Sequence, residues 1–225
     1  MEKGIENMKK YDIALFDLDG TLSESGEGIL DCVKIAFREM KRELPDEKTL
    51  GSFIGPPMTD SLKRCGFSEE DAQKGLQIYK KNYIERGIYK NKVYSGMYET
   101  LQTLKDNGVL LAVATSKYQP FSDRIIKMLK LENYFDFVGG SSGTPERHSK
   151  IQVIRYVLDH LGRDKKAVMI GDTKFDAEGA FMAKVDFIGC LYGYGSREEM
   201  ETYFSDGMFV TNPSEIVPII LGDGK

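Results

Sequence analysis

The sequence lacks the cysteines and histidines that a disulfide framework or a zinc site would need. Its 225 residues include three cysteines and two histidines. Cys32, Cys65 and Cys190 are odd in number and widely spaced, which favours reduced thiols over disulfides. His148 and His160 stand apart, and no cysteine–histidine cluster has zinc spacing. Reduced thiols are typical of a cytoplasmic protein, and we expect that location here.

The sequence also lacks an excess of basic residues and a long apolar run. Lysine plus arginine total 31 against 35 acidic residues, for a net charge of -4, so no general basic face argues for a nucleic acid polymer. No apolar run approaches the roughly 20 residues that a membrane helix needs. Residues 1–10 lack the apolar centre of a secretory signal. We expect neither nucleic acid nor a membrane as a partner, and the sequence is compatible with a monomer or a homodimer.

What the sequence does contain is an apolar stretch that ends at two carboxylates one residue apart. Residues 13–16 are apolar without alternation, which predicts a strand buried on both faces, and Asp17-Leu18-Asp19-Gly20-Thr21 follows directly. The Asp-Gly pair marks a tight turn at the strand end. Because two acids this close repel each other, a divalent cation, or a division of labour between a nucleophile and a proton carrier, would explain them. The alternative is an ordinary turn after a strand.

The rest of the chain divides into a helical stretch and an alternating one. Residues 23–95 have the pattern of helices and loops, whereas residues 96–225 alternate helices with buried strands. Strands that alternate with helices predict parallel pairing through right-handed crossovers. We therefore predict an α/β protein with a doubly wound, mostly parallel sheet, a Rossmann-like core formed by residues 1–22 and 96–225. Residues 23–95 would form an all-helical domain inserted after the first strand.

Polar and charged residues follow several of the predicted strands. Ligands bind beyond the carboxyl ends of the strands in such sheets. One rim would therefore collect three carboxylates, two hydroxyls and two cations: Asp17, Asp19, Asp172, Thr115, Ser116, Arg147 and Lys150. This set suits a phosphate held beside Mg²⁺, because Mg²⁺ prefers oxygen ligands and because lysine and backbone amides neutralise phosphoryl oxygens.

Each of these residues also has a purely structural alternative. Thr115 and Ser116 can cap the helix after their strand, and Asp172 can cap a later helix. Asp176 can be a first-turn acid that stabilises the amino end of that helix. These alternatives do not explain why all of the residues fall on the same rim.

The same residues resemble the four ordered motifs of the haloacid dehalogenase superfamily. The motifs are Asp17-Leu18-Asp19-Gly20-Thr21, Thr115, Lys150 and Gly171-Asp172-Thr173-Lys174-Phe175-Asp176. The resemblance covers nearly the whole chain, because residues 23–95 resemble the small helical cap of that superfamily. The stretches most similar to its phosphoglycolate phosphatase-like branch are Tyr94-Ser95-Gly96, Thr115-Ser116-Lys117 and Met169-Ile170-Gly171-Asp172.

The resemblance implies a role for each acid. Asp17 would attack phosphorus and form an aspartyl-phosphate. Asp19 would protonate the leaving oxygen and then take a proton from the water that hydrolyses this intermediate. The ligands of Mg²⁺ would be Asp17, the backbone carbonyl of Asp19 and Asp172. Asp176 would orient Lys150 or a metal-bound water.

The resemblance also implies which groups bind the phosphate. Thr115, the Ser116 amide and Lys150 would hold the phosphoryl oxygens. Many relatives have Lys-Pro at the third motif, whereas Lys150 precedes Ile151 here and Arg147 lies upstream. We expect Lys150 to contact the phosphate, with Arg147 as the alternative cation.

The implied function is phosphoester hydrolysis under a lid. Phe53-Ile54-Gly55-Pro56 resembles the cap loop that meets the leaving group of the substrate, although the prolines here can also serve only to turn the chain. Gly20-Thr21 matches phosphatase members better than mutases. We expect a Mg²⁺-dependent phosphatase that acts on a small-molecule phosphoester, with phosphoglycolate or a nucleoside 5'-monophosphate as the leading candidate. The alternatives are a phosphosugar mutase similar to β-phosphoglucomutase, and a phosphate-binding regulatory protein without turnover.

Overall fold

Eight strands and ten α-helices make up the regular structure of the computed structural model, which describes residues 9–222. In chain order the strands are β1 (Ile13–Phe16), β2 (Ser23–Glu24), β3 (Lys92–Val93), β4 (Leu110–Tyr118), β5 (Phe137–Ser141), β6 (Ala167–Gly171), β7 (Asp186–Cys190) and β8 (Met208–Val210). The helices are α1 (Gly26–Glu39), α2 (Glu47–Gly51), α3 (Met58–Arg64), α4 (Glu69–Glu85), α5 (Met97–Asp106), α6 (Gln119–Met128), α7 (Lys150–Leu161), α8 (Lys174–Ala183), α9 (Arg197–Glu201) and α10 (Ile216–Leu221).

Six of the strands form one parallel sheet in the order β5-β4-β1-β6-β7-β8. The first strand of the chain lies in its middle, with Ile13 paired to Leu110 of β4 on one side and to Ala167 of β6 on the other. Sequential strands therefore run outward from β1 in both directions, which is the doubly wound arrangement. The predicted α/β class with a mostly parallel sheet is confirmed.

Alternate residues of β1 face the two helical layers that cover the sheet. Ile13 and Leu15 pack in one apolar cluster and Ala14 and Phe16 in another, as the two-residue period of a strand requires. The first cluster includes Val153, Ile154 and Val157 of α7 and Ala177 and Ala180 of α8. The second includes residues of α5, α6 and α10: Leu101, Leu104, Phe121, Ile125, Ile126, Ile216 and Ile220. All four residues of β1 are fully buried, which explains their continuous apolar sequence.

Helices α1 to α4 lie between β1 and α5 in the chain, and we call residues 26–90 the helical insertion. Residues 23–95 were expected to hold only helix and loop, but β2 and β3 pair antiparallel where the chain leaves and re-enters the sheet region. Strands of two residues are too short to show an alternating pattern, so the sequence could not predict them. The division into domains at residues 22 and 95 stays a prediction, and residues 1–8 and 223–225 of the expected core lie outside the described residues.

No helix within residues 9–222 combines the length and apolar character that crossing a bilayer would take. This agrees with the apolar runs of the sequence, which are strands of the sheet and short helix faces.

The central strand should carry a large share of the stability. Leu15 is fully buried, and Leu15→Ala should lower the free energy of unfolding by about 2–5 kcal/mol because it leaves a cavity between β1 and α7. Leu44 is 46% exposed, and Leu44→Ala is the matched control, with an expected change within about 0.5 kcal/mol. Urea denaturation measures both, and equal losses for the two variants would contradict this account of the core.

Candidate active site

Asp17 and Asp19 lie in a tight loop at the carboxyl end of β1. The amide of Asp17 donates to the carbonyl of Ile170 in β6, which continues the sheet pairing to the last residue before the turn. Gly20 has a φ of 89°, which favours glycine, and a Cβ on it would collide with the carboxylate of Asp172. The turn thus brings the first motif against the end of β6, and both acids are buried.

Asp172 is held by groups from two other loops. The hydroxyl of Thr21 donates to its Oδ1 at 3.1 Å, and the amide of Tyr194 donates to its Oδ2 at 2.8 Å. Asp172 is fully buried. The sequence alternative, in which Asp172 caps α8, is wrong because Thr173 is the N-cap residue of that helix.

Asp176 combines the structural role of a capping box with a place in the site. Its Oδ2 accepts hydrogen bonds from the amide and the hydroxyl of Thr173, at 3.0 and 2.7 Å. Its Oδ1 is buried and forms an ion pair with Nζ of Lys150 at 2.7 Å. One oxygen therefore fixes the start of α8, and the other faces the acids of the sheet edge.

Lys150 is the cation that pairs with two of these acids, Asp17 and Asp176. Its Nζ lies 2.6 Å from Oδ1 of Asp17 and donates to the carbonyl of Ala114 at 3.0 Å. The side chain is 5% exposed. It begins α7, where Ser149 and Gln152 supply a capping box, so the helix is fixed without the lysine. A cation at a helix amino end is slightly unfavourable, so the contacts with the acids account for Lys150 better than a role in the helix does.

Three carboxylates and one ammonium leave an excess of negative charge in a buried place. Carboxylate oxygens of Asp17, Asp172 and Asp176 all lie within 4.8 Å of one another. Burial and repulsion from Asp176 raise the pKa of Asp17, while Lys150 opposes them. Burial and repulsion from the other two acids raise the pKa of Asp172 well above its ordinary value. A divalent cation with hard oxygen ligands fits this donor set, because it would offset the repulsion that Lys150 alone leaves.

The structure adds one side-chain carboxylate to the metal ligands predicted from the sequence. Asp176, expected only in a supporting role, joins Asp17 and Asp172 in the cluster of carboxylates. The carboxylate of Asp19 instead pairs with Lys117, whose Nζ lies 2.7 and 3.0 Å from its two oxygens. The role of the Asp19 backbone carbonyl as a metal ligand stays a prediction.

Lys117 is the residue of this region that sequence reasoning missed. Burial alone would lower its pKa, but the Asp19 carboxylate outweighs that effect, so the pKa of Lys117 lies well above its ordinary value. The available signal was a lysine at the end of an otherwise apolar strand, two residues after Thr115.

Thr115 and Ser116 are buried within β4, which extends to Tyr118 past the apolar residues that predicted the strand. The residue that precedes α6 is Tyr118, so the alternative that Thr115 and Ser116 cap this helix is wrong. The hydroxyl of Thr115 accepts from the amide of Lys117 at 3.3 Å. The hydrogen-bond ladder shifts between Ala114 and Tyr118, which is the irregularity that lets polar residues sit in a central strand.

Arg147 has a different environment from Lys150. The carbon atom of its guanidinium lies 3.9 Å from the centroid of the Tyr156 ring. Its Nε is buried without a hydrogen bond. Among residues 9–222, the ion pairs of Asp17 and Asp176 are with Lys150 and none is with Arg147. Between the two candidate cations, these contacts favour Lys150.

A cavity of about 450 Å³ separates the helical insertion from the sheet edge. Asp19, Ser116 and Lys117 line it from the sheet. The cap loop predicted to meet the leaving group contributes three residues to the lining of this cavity, Phe53, Gly55 and Pro56. Its fourth residue, Ile54, is buried in the core. Its aromatic wall consists of Phe53, Tyr79, Tyr118 and Phe121.

One polar contact joins the insertion to the core beside this cavity. Nε2 of His148, which precedes α7, lies 3.0 Å from Oδ2 of Asp60 in α3. The pair is partly exposed, so its contribution to stability is small.

Comparison with known proteins gives relatives along most of the chain. Residues 14–190 match the family model described as haloacid dehalogenase-like hydrolase. The chain is 35% identical over 196 residues to a 5'-nucleotidase of Pseudomonas aeruginosa, covering 86% of this chain and 89% of that protein. It is 33% identical over 187 residues to the tyrosine-protein kinase PtkA of Mycobacterium tuberculosis, covering 83% of this chain. The match spans only 64% of the length of PtkA.

A phosphoglycolate phosphatase of Aquifex aeolicus is 28% identical over 211 residues, covering 92% of this chain and 96% of that protein. Among solved structures, one described as a predicted phosphatase from Clostridium acetobutylicum superposes with a TM-score of 0.87 at 38% identity. It covers 94% of this chain and 98% of its own.

Mg²⁺ should stabilise the protein through the cluster of carboxylates. At a concentration about 100 times its Kd, the ion should raise the free energy of unfolding by about 2.7 kcal/mol. Asp172→Asn should abolish this gain because it removes a charged ligand, whereas Asp164→Asn at an exposed loop should keep it. Thermal denaturation with and without Mg²⁺ measures the effect, and an undiminished gain in Asp172→Asn would place the ion elsewhere.

Proposed function

The chain belongs to the haloacid dehalogenase-like hydrolases, and from this premise we propose that it is a Mg²⁺-dependent phosphatase acting through an aspartyl-phosphate on Asp17. The observation that carries the proposal is the position of Lys150, which contacts both Asp17 and Asp176 at the buried edge of the sheet. A cation there can bind the oxygens of a phosphoryl group that approaches Asp17.

Asp17 is the nucleophile in this proposal. A carboxylate oxygen attacks phosphorus, a phosphorus–oxygen bond forms, and the bond to the leaving oxygen breaks. Asp19, two residues later in the same loop, delivers a proton to that oxygen, so an alcohol leaves. Asp19 then takes a proton from water as the water attacks the aspartyl-phosphate, which releases inorganic phosphate and restores Asp17.

The phosphoryl oxygens are bound by groups from β4 and α7. The Thr115 hydroxyl, the Ser116 amide and the Lys150 ammonium are the proposed donors. A divalent cation bound by Asp17 and Asp172 would neutralise charge between the anionic substrate and the carboxylates. Asp176 holds Lys150 in place through its Oδ1.

The cavity above Asp19 favours a nucleoside 5'-monophosphate over phosphoglycolate. Its volume of about 450 Å³ lies within the range of roughly 300–1,000 Å³ that encloses drug-sized ligands. A two-carbon hydroxy acid would fill little of it. Lys63 and Lys117 each pair with a carboxylate, and Nζ of Lys80 lies 4.2 Å from the Tyr118 ring centroid. The wall thus offers aromatic surface for a base more than a clamp for a carboxylate.

Two substitutions separate the roles of the acids. Asp17→Asn should abolish phosphate release while circular dichroism stays unchanged, because the amide is a poor nucleophile. Asp19→Asn should allow slow phosphorylation and slow the hydrolysis of the phosphoenzyme by about 10²–10⁴-fold. Acid quenching with ³²P-labelled substrate would trap the phosphoenzyme in Asp19→Asn.

Asp164→Asn is the matched control and should keep wild-type turnover. Persistent turnover in Asp17→Asn would show that the nucleophile is wrong. Formation of an isomeric phosphate ester without free phosphate would identify a mutase, and binding without turnover would identify a regulatory protein.

A substitution in the aromatic wall of the cavity tests the identity of the leaving group. Nucleoside 5'-monophosphates should have a higher kcat/KM than phosphoglycolate. Tyr118→Ala should raise KM for nucleotides about tenfold, because stacking of a base on an aromatic ring is worth about 1–3 kcal/mol. Tyr98→Ala, at a partly exposed tyrosine outside the cavity, should leave KM unchanged. Higher kcat/KM for phosphoglycolate would reject the preference for nucleotides.

A further inference from the structure

Lys117 places a positive charge against the carboxylate of Asp19 in a nearly buried site at the cavity wall. Its Nζ lies 2.7 and 3.0 Å from the two oxygens of Asp19, and the two side chains are 6% and 9% exposed. Because both oxygens contact the same ammonium, rotation of the carboxylate about its Cβ–Cγ bond would break one contact. The pair therefore fixes the direction in which Asp19 points.

An aromatic ring of the helical insertion contacts the same ammonium. Nζ of Lys117 lies 4.6 Å from the ring centroid of Tyr83 in α4. That ring is itself fixed, since Tyr79 stacks on it at 5.4 Å and Phe121 of α6 lies 5.3 Å away. The hydroxyl of Tyr83 accepts a hydrogen bond from Asn91. Lys117 is thus held between a carboxylate of the core and a ring of the insertion.

Stability gives a weak reason for a buried ion pair in this place. Removing two charges from water costs several kcal/mol per ion, and apolar replacements of such pairs are often neutral or stabilising. The pair also lies at the cavity wall, since both Asp19 and Lys117 line the proposed leaving-group side. A role in the reaction accounts for the pair better than a role in the core.

We propose that Lys117 is a positioning residue that holds the Asp19 carboxylate toward the leaving oxygen and the hydrolytic water. This inference rests on the proposed function, because it needs Asp19 to transfer protons in both steps. Lys117 acts through Asp19 and does not contact the phosphoryl group, whereas Lys150 contacts Asp17. Each acid of the first motif therefore has its own lysine.

p-Nitrophenyl phosphate with Mg²⁺ isolates the second of these proton transfers, because p-nitrophenolate leaves without a proton. Lys117→Met should form the phosphoenzyme at near wild-type speed and then hydrolyse it about 10²-fold more slowly, since Asp19 is no longer directed at the water. Rapid mixing should show a burst of about one p-nitrophenolate per enzyme. Lys81→Met, at an exposed position of α4, should match the wild type.

A second comparison separates positioning from a structural role. In an Asp19→Asn background, Lys117→Met should change the hydrolysis of the phosphoenzyme by less than about twofold, because residues that act as a unit are non-additive. A further large loss in that background would overturn the proposal. So would wild-type turnover in Lys117→Met, or a slow rate without a burst.

Lys117→Met leaves a buried carboxylate unpaired, which can cost about 3–5 kcal/mol. If it does not fold, Tyr83→Leu is the second variant, because it keeps both charges and removes the ring behind the ammonium. It should slow the steady state several-fold with the same burst, and the absence of a burst would overturn the proposal. A wild-type protein that hydrolyses no phosphoester would instead reject the proposed function itself.

Discussion

Repulsion between buried carboxylates is the constraint on which the arrangement of this sheet edge depends. Asp17, Asp172 and Asp176 bring their oxygens within 4.8 Å of one another, and Lys150 supplies a positive charge to Asp17 and Asp176. Hydrogen bonds from Thr21, Tyr194 and Thr173 hold the acids in place. Stability alone would not collect three acids in one buried place, since each loses hydration there. A divalent cation bound by these carboxylates, as in the proposed function, would offset the repulsion between them.

The order of the strands explains why residues so distant in sequence meet. Because β1 lies between β4 and β6, the loop after β1 is flanked by Thr115 on one side and Asp172 on the other. Lys150 comes from the helix that packs on the same face as Ile13 and Leu15. A parallel sheet aligns the carboxyl ends of its strands, so the fold supplies the proximity and the loops supply the chemistry.

Sequence reasoning succeeded where a residue follows a strand of clear apolar pattern, and failed where tertiary contacts decide. Asp17 and Asp172 directly follow such strands. The alignment of the carboxyl ends of parallel strands therefore predicted that the two acids lie close together. The sequence did not identify the partner of Asp19, because its pair with Lys117 is a tertiary contact between the loop after β1 and the end of β4. Arg147 and Lys150 were alternatives on charge alone. The ion pairs of Lys150 with Asp17 and Asp176, and the packing of Arg147 on Tyr156, distinguish them. The strands β2 and β3 were missed because a strand of two residues is too short to show an alternating pattern.

The two acids of the first motif are close in sequence but depend on different parts of the molecule. Asp17 contacts Lys150, whose surroundings are core strands and helices. Asp19 contacts Lys117, whose ammonium is covered by Tyr83 of the insertion. Movement of the insertion would therefore disturb Asp19 and leave Asp17 in place. In the proposed mechanism, the position of the nucleophile would then depend on the core, whereas the position of the group that transfers protons would depend on the insertion as well.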